Sequence, residues 1–149
     1  MRTLIHEAVE SARAGENPTC ICQVPSGWIL MGYTQFFNGY SLLLADPVVA
    51  DLNCLTRENR IQFLDDMAVL GDALLEVTEA YRINYEILGN TEQALHAHVF
   101  PRYMSESEQL RKGPVWSYPE ELRNSVKFDP ERDRELMNQV ASAVQKNYR

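Results

Sequence analysis

The chain has 149 residues, with 21 acidic against 14 basic side chains and a formal net charge of −7 at pH 7. This length is typical of a single domain, 1–149, with a sizeable core, and the 45% of hydrophobic residues argues against disorder. The acidic balance argues against a protein that coats nucleic acid or an anionic membrane, because both need clustered Lys and Arg. No apolar run approaches the roughly 20 residues of a membrane span, and no signal-peptide pattern follows Met1. We therefore expect a cytoplasmic protein.

The three cysteines, Cys20, Cys22 and Cys54, do not form the framework of a small disulfide-rich domain. Cys20 and Cys22 are separated by one residue, which is less than the usual spacing of ligands in a zinc knuckle. We expect the pair to face one side of a strand as buried reduced thiols.

The first predicted elements are a short amphipathic helix over residues 3–14 and three strands after it. The strands correspond to the apolar runs Cys20–Val24, Trp28–Met31 and Tyr40–Ala45. Asn38-Gly39, just before the third run, is a strong turn signal and predicts a hairpin.

Residues 56–81 have the clearest periodicity, which predicts a helix of about seven turns. Thr56 can cap its start, and Glu58 places a negative charge in its first turn, at the positive end of the helix dipole. Six apolar residues form one stripe along it: Phe63, Met67, Leu70, Leu74, Val77 and Tyr81. We expect this helix to lie across a sheet.

Two further strands and a C-terminal tail follow the long helix. Residues 83–88 alternate in polarity, and residues 94–100 form a second alternating run that Pro101 is expected to end. The tail, 104–149, contains a final helix from about Pro130, with Leu136, Val140 and Val144 as its apolar row. Helices grouped around consecutive antiparallel strands predict an α+β domain.

Two of the three histidines, His96 and His98, lie on the last of these strands. Because side chains alternate on a strand, both project from the same face, with roughly 7 Å between their Cα atoms. Two imidazoles so placed can ligate a metal, act as nucleophile and acid, or form a polar face without function. A metal site needs a further ligand, for which Glu86 on the neighbouring strand is a candidate.

The residues around the histidine strand favour phosphate chemistry. Gly89 lets the backbone approach an anion, and the Asn90 amide and the Thr91 hydroxyl add neutral donors. Arg102 adds a cation at the other end of the strand. Asn84, on the neighbouring strand, can contact phosphate or satisfy the sheet edge. Together these residues predict a cradle for a phosphoryl group.

The run from Leu95 to Arg102, Leu-His-Ala-His-Val-Phe-Pro-Arg, resembles the signature of the histidine triad (HIT) family of nucleotide hydrolases and transferases. In that signature three histidines alternate with apolar residues, and Pro-Arg often follows. The resemblance covers roughly residues 20–103 and is nearest to the bacterial diadenosine tetraphosphate hydrolase-like branch. It implies an antiparallel sheet of about five strands, one long helix packed across it, flanking N- and C-terminal helices, and a homodimer.

The resemblance also implies what the histidines do. His96, at the middle triad position, would attack a nucleotide α-phosphorus and form a nucleotidyl-histidine intermediate, as in a HIT-type hydrolase. His98 would contact the same phosphate and assist transfer, and Thr91 stands where the family commonly has a phosphate-binding hydroxyl. The substrate would be a nucleotide of the dinucleoside polyphosphate class or a related one. This chemistry requires no metal, although such a substrate can carry Mg²⁺.

The first triad position is Ala94, which is a departure from the family pattern. In the family, the main-chain carbonyl of this residue holds the other ring nitrogen of the nucleophile, so alanine retains that contact and loses a neighbouring side chain. Two alternatives stay open: a non-catalytic nucleotide-binding module with a degraded triad, and a His-x-His metal site.

Other residues near the predicted site receive weaker assignments. Tyr40 stands where relatives often carry a histidine, and it is given no role. Gln35 is the candidate for the nucleoside pocket. Trp116 and Lys112, in the tail, can reach a base or a distal phosphate, but the favoured interpretation is ordinary packing for Trp116 and a solvated charge for Lys112.

Overall fold

The fold is built on one antiparallel sheet, which we describe from a computed structural model covering residues 1–148. Its strands are β1 (Cys20–Val24), β2 (Gly27–Met31), β3 (Ser41–Ala45), β4 (Arg82–Glu86) and β5 (His96–Arg102). Their order across the sheet is β1-β2-β3-β5-β4, and every neighbouring pair is antiparallel. The predicted five-stranded antiparallel sheet is confirmed, and the histidine strand β5 is internal to it.

Five helices accompany the sheet within the described residues: α1 (Leu4–Arg13), α2 (Arg57–Val77), α3 (Glu108–Arg111), α4 (Glu120–Arg123) and α5 (Arg134–Gln145). Helices α2 and α5 share one buried cluster with the sheet, and α1 packs on the opposite face. The long helix across the sheet and the two flanking terminal helices are therefore confirmed. Between residues 1 and 148, no helix is both long and apolar enough to cross a membrane.

The two faces of β5 have different surroundings. The side chains of Leu95, Ala97 and Val99 are buried in the main core, where they join Leu70 and Leu74 of α2. Burial of this apolar surface is the main favourable contribution to folding. The even-numbered residues of β5, including both histidines, consequently face the other side of the sheet.

Helix α2 begins where the sequence predicts but ends earlier. The side chain of Thr56 caps its first turn, and Val77 is its last residue. Thr78 has extended backbone angles, because the chain must turn there to enter β4. Tyr81 therefore lies off the helix, contrary to prediction, and its N–H donates to the carbonyl of Arg102 beside the sheet.

Strand β5 continues through Pro101, although the sequence predicts that it ends there. Pro101 is paired with Ile83 of β4, whereas β3 stops at Ser41, opposite Val99. Pro101 thus has a strand on only one side. A proline, which lacks an N–H, is tolerated at such an edge position.

The predicted hairpin near Asn38-Gly39 is confirmed as the antiparallel pair β2–β3. Its connection is the whole loop 32–40 rather than a two-residue turn. Gly39 has a φ of +95°, a conformation that glycine adopts readily and other residues do not.

A β-bulge in β1 separates Cys20 from Cys22. Cys20 lies opposite Leu30, and Cys22 lies opposite Ile29. Because Leu30 and Ile29 belong to clusters on opposite faces of the sheet, the two cysteines do not share a face, contrary to prediction. Burial raises the pKa of the Cys22 thiol to about 12, so this thiol is protonated at neutral pH.

Helix α5 begins at Arg134, a turn later than the predicted start near Pro130. Val140 and Val144 are fully buried in the main core, and Leu136 packs against its margin. The predicted apolar row is therefore confirmed.

Candidate active site

His96 and His98 project from the same face of β5, as the alternation of the strand predicts. Their ring centroids are 4.9 Å apart, and their planes meet at 70°. His96 is 6% exposed, and His98 is partly buried. The pair lies between α1, which packs over one end of this face, and the turn Val115–Ser117, which meets the other end.

The backbone of Ala94 fixes the position of the proton on His96. The Nδ1 atom of His96 lies 2.7 Å from the carbonyl oxygen of Ala94. A carbonyl oxygen can only accept, so Nδ1 carries the proton and donates it. In the neutral ring, Nε2 consequently keeps a lone pair. The contact expected at the first triad position is formed without a histidine there.

Helix α1 accounts for the small side chain at position 94. Ala94 is 1% exposed and lies in a cluster with Ile5 and Val9 of α1 and with Leu30 and Leu44 of the sheet. A larger side chain here would meet these residues or enter the adjoining cavity beside His96. The small side chain of alanine at this position is therefore compatible with the packing of α1 on the sheet.

A tyrosine hydroxyl holds the second histidine. The Oη atom of Tyr40 lies 2.7 Å from Nδ1 of His98. Tyr40 is buried, which raises the pKa of its hydroxyl, and its ring stacks on Phe100 with 4.1 Å between centroids. Burial, together with the charge that His96 can carry, lowers the pKa of His98 to about 4. His98 is therefore neutral at pH 7.

Trp116 forms the wall of the site beside His98. Its ring meets those of His98 and Phe100 edge-on, with 5.8 Å between centroids in each case. Its Nε1 donates to the carboxylate of Glu86, the residue that faces His98 across the β4–β5 pair. The guanidinium of Arg123 lies over the indole, 5.1 Å from its centroid. The tail therefore contacts His98 through Trp116, which borders the candidate site as well as packing against Phe100.

A cavity of about 370 Å³ opens beside His96. Its lining includes Asn90, Gln93 and Asp51, together with the turn at Gly89, which has a φ of +75°. Glycine allows this backbone conformation without strain. The structure thus brings the predicted Gly89–Asn90 turn and His96 to one cavity. The remaining lining residues are Ala50, Ile87, Leu88, Ala94 and Leu95.

Thr91 lies next to this cavity rather than in its lining. It borders a second cavity, of about 500 Å³, with the first residues of the chain and Glu7 of α1. The two cavities share Ala50 and Gln93. Thr91 therefore borders a neighbouring cavity, next to α1, rather than the cavity beside His96.

Solved structures of several proteins are similar to this chain in fold. A histidine triad protein from Marinobacter aquaeolei VT8 has a TM-score of 0.71 and 17% identity over 98% of both chains. A histidine triad protein from Bradyrhizobium japonicum has a TM-score of 0.67 and 20% identity over 89% of this chain and 95% of that chain. A hypothetical histidine triad nucleotide-binding protein from Sulfolobus tokodaii strain7 has a TM-score of 0.71 and 8% identity, covering 94% and 92%. The chain has the histidine triad fold.

Sequence comparisons add no relative to these structural ones. No family model matches the chain, and no curated protein is similar to it. The fold that the histidine motif predicts is thus confirmed by comparison of three-dimensional structures.

Within this histidine triad fold, Arg102 is not free to bind phosphate, contrary to prediction. Its guanidinium is 2% exposed and forms an ion pair of 2.8 Å with Glu106. It also donates to Oδ1 of Asn84 at 2.7 Å and to the carbonyl of Gly113 at 2.9 Å. Neither Arg102 nor Asn84 lines the cavity beside His96. The two residues instead fasten the start of the tail to the sheet.

Gln35 has a bracing role in place of the predicted nucleoside contact. Its amide nitrogen donates to the carbonyls of Gly32 and Tyr40, and its Oε1 accepts the N–H of Gly39. Every polar atom of this buried side chain is thereby used within the loop 32–40. Its effect on the site is indirect, since it holds Tyr40 next to His98.

The alternative metal site of His96, His98 and Glu86 is not assembled in this histidine triad fold. Across residues 1–148, no three His, Cys, Asp or Glu side chains come together in a way that could hold a metal ion. Glu86 accepts from Trp116, and Nδ1 of His96 is engaged by a carbonyl. Both groups are directed to protein partners.

Sequence reasoning did not predict that Tyr40 and Trp116 contact His98. A signal existed for Tyr40, because it comes two residues before Leu42, which is paired with His98 in the sheet. Side chains two apart along extended chain face the same side. No comparable signal existed for Trp116, whose position depends on the path of the tail.

Proposed function

We propose that this protein is a nucleotide hydrolase or nucleotidyl transferase that cleaves at the α-phosphate through a covalent nucleotidyl-His96 intermediate. The observation that carries the proposal is the contact between Nδ1 of His96 and the Ala94 carbonyl, at 2.7 Å. It leaves a lone pair on Nε2 of an imidazole that borders a cavity. A neutral imidazole is a good nucleophile at neutral pH. The fold adds support, since one neighbour is described as a histidine triad nucleotide-binding protein.

The proposed chemistry has two steps. In the first, the Nε2 lone pair forms a bond to the α-phosphorus, and the bond from phosphorus to the leaving oxygen breaks with its electron pair on that oxygen. In the second, water attacks phosphorus, the P–N bond breaks and Nε2 regains its lone pair, while one proton of the water passes to solvent. The proton stays on Nδ1 throughout, where it is hydrogen-bonded to the Ala94 carbonyl. An acceptor other than water makes the reaction a nucleotidyl transfer.

Other residues would hold the phosphates during these steps. We assign the α-phosphate oxygens to His98, to the Asn90 amide and to the backbone at Gly89, and a more distal phosphate to Thr91. The carboxylate of Asp51, in the lining of the same cavity, opposes a bare polyphosphate. A polyphosphate that carries Mg²⁺ would meet this carboxylate more favourably, although the chemistry itself does not require the metal.

The substrate class that we propose is a dinucleoside polyphosphate, as the resemblance of the histidine strand implies. Its phosphates would extend from His96 along the cleft toward Thr91. We further propose that the enzyme acts as a cytoplasmic homodimer, again on the resemblance. The rival function is a nucleotide-binding module without catalysis, in which Ala94 marks a degraded site.

A panel of nucleotides tests the proposal. Diadenosine tetraphosphate, ATP and adenosine 5′-phosphoramidate are each incubated with wild type, His96→Asn and a control, and AMP release and binding are measured. The control is His6→Gln, which removes a histidine from α1 but keeps a residue type suited to its capping box. We expect His96→Asn to lose activity by about 10³-fold or more, while binding changes little and the control matches wild type.

The other outcomes of this panel are equally informative. Binding of nucleotides by wild type without turnover of any of them supports the non-catalytic module. Absence of binding across the panel contradicts the proposed function.

A further inference from the structure

The two histidines have different partners at the same ring atom. Nδ1 of His96 faces a carbonyl oxygen, which can only accept. Nδ1 of His98 faces the hydroxyl of Tyr40, which can donate or accept. The direction of the Tyr40–His98 hydrogen bond therefore decides which nitrogen of His98 carries the proton.

The surroundings of Tyr40 decide that direction. Tyr40 is only 8% exposed, and among residues 1–148 its hydroxyl has a single hydrogen-bond partner, Nδ1 of His98. If Nδ1 of His98 donated, the hydroxyl proton would have no acceptor among residues 1–148, which is unfavourable for a side chain as buried as Tyr40. If Tyr40 donates, both groups are satisfied. The hydroxyl is therefore the donor, and Nδ1 of His98 is the acceptor.

We propose that Tyr40 is a positioning residue that fixes His98 as the Nε2–H tautomer, so that His96 and His98 present opposite tautomers. At Nε2, His96 would offer a lone pair and His98 an N–H donor. The first serves attack on phosphorus, and the second serves a phosphate oxygen. The use of these atoms rests on the proposed function, whereas the tautomers themselves do not.

The groups around His98 are compatible with a neutral donor. His96 adjoins it on β5, and its positive form would repel a second positive charge. Glu86, which faces it from β4, directs its carboxylate to the indole N–H of Trp116. The guanidinium of Arg123, on the tail, lies over the ring of that indole. Burial among these rings disfavours the imidazolium and keeps Nδ1 free to accept from Tyr40.

The loop 32–40 is built to keep the tyrosine in place. The Gln35 amide donates to the backbone carbonyl of Tyr40 at 2.9 Å, and the Tyr40 ring stacks on Phe100. Tyr40 is therefore held in place both at its backbone and at the face of its ring. A phenylalanine at position 40 would retain these contacts and lose only the hydroxyl.

The test is the protonation of each ring nitrogen, read by long-range ¹H–¹⁵N correlation spectra of ¹⁵N-histidine-labelled protein without substrate. The chain has only three histidines, so the spectrum can be assigned with single variants. We expect His96 to be protonated at Nδ1 and His98 at Nε2. In Tyr40→Phe, the Nδ1 signal of His98 should move toward the protonated form, because its donor is gone.

The matched control is Tyr118→Phe. Tyr118 is buried in the same aromatic cluster, but its hydroxyl donates to Glu106 rather than to a histidine. This variant should leave the His98 signals unchanged. Protonation of His98 at Nδ1 in the wild type overturns the proposal, as does a Tyr40→Phe spectrum identical to that of wild type. The wild-type spectrum decides by itself if Tyr40→Phe fails to fold.

Kinetics separate this proposal from the proposed function. With a nucleotide that wild type turns over, Tyr40→Phe should lower kcat by about tenfold and change KM by less than about twofold, because the Tyr40 hydroxyl no longer holds His98 as the Nε2–H donor. If no nucleotide is turned over but the spectra show opposite tautomers, the proposed function fails while the role of Tyr40 stands.

Discussion

The carbonyl oxygen of Ala94 lies 2.7 Å from Nδ1 of His96, so the residue that orients the candidate nucleophile does so through its backbone. This contact does not depend on the side chain at position 94. The absence of a histidine there is therefore compatible with an ordered nucleophile.

Substitutions of Ala94 distinguish the role of its backbone carbonyl from that of its side chain. Ala94→Gly keeps the carbonyl, and we expect activity within about threefold of wild type. Ala94→His restores the family residue but crowds Ile5 and Val9, and overpacking of this kind costs about 1–3 kcal/mol of unfolding free energy. Urea unfolding and AMP release measure both effects. A rise of about tenfold or more in the activity of Ala94→His would instead identify alanine as a degraded triad position.

Replacement of Arg102 tests whether this residue is structural. Arg102→Met should lower the free energy of unfolding by about 3–5 kcal/mol, because it leaves the buried carboxylate of Glu106 without its cation. The double variant Arg102→Met/Glu106→Gln should recover part of that loss. Where the protein stays folded, KM for nucleotides should not change. A large rise in KM with stability intact would restore the phosphate-binding role that the sequence predicts.

Acid should destabilise the protein through His98. Its pKa is near 6.5 when unfolded and about 4 when folded, so between these values the unfolded chain binds more protons. The stabilising contribution is thus fully present above pH 6.5 and is lost as the pH falls toward 4. Between about pH 7.5 and pH 5, the expected loss is about 2 kcal/mol. His98→Asn should remove most of this dependence, and equal pH profiles for variant and wild type would contradict the assignment.

Two glycines test the packing of the sheet. A Cβ at Gly71 of α2 would overlap the hydroxyl of Tyr85 on β4, whereas a Cβ at Gly27 would overlap the backbone carbonyl of Leu44. Both Gly71→Ala and Gly27→Ala should destabilise the protein by about 1–3 kcal/mol. Adding Tyr85→Ala should rescue only Gly71→Ala, because the obstacle to Gly27→Ala is main chain. The contrast is checked by denaturant unfolding of Gly71→Ala and Gly27→Ala, each with and without Tyr85→Ala.

Local patterns predicted the parts of the fold that depend on neighbours in sequence. Alternation placed His96 and His98 on one face, and the side chain of Thr56 marked the start of α2. The apolar row of α5 was equally visible. In each case the deciding interaction is set by residues within a few positions along the chain.

The rest depends on contacts between distant segments. Arg102 resembles a phosphate ligand in sequence, but its guanidinium is held by Glu106, four residues along the chain, and by Asn84 and Gly113, which are 18 and 11 residues away. Tyr40 and Trp116 meet His98 from segments far along the chain in both directions. Tyr81 fits the helical stripe, yet pairing with the sheet removes it from the helix. The sequence carries no local signal for Trp116, and the signal for Tyr40 becomes visible only once β3 is paired with β5.

The most direct test of the central claim is a search for the covalent intermediate in a single turnover. Wild type in excess over an α-³²P-labelled substrate is quenched within milliseconds in alkaline denaturant, because a nucleotidyl-histidine is labile to acid. The label is then located by peptide mass spectrometry. We predict one nucleotidyl group on the peptide that contains His96, absent from His96→Asn and present in His6→Gln. Complete turnover without any labelled protein, or a label that persists in His96→Asn, would contradict the account.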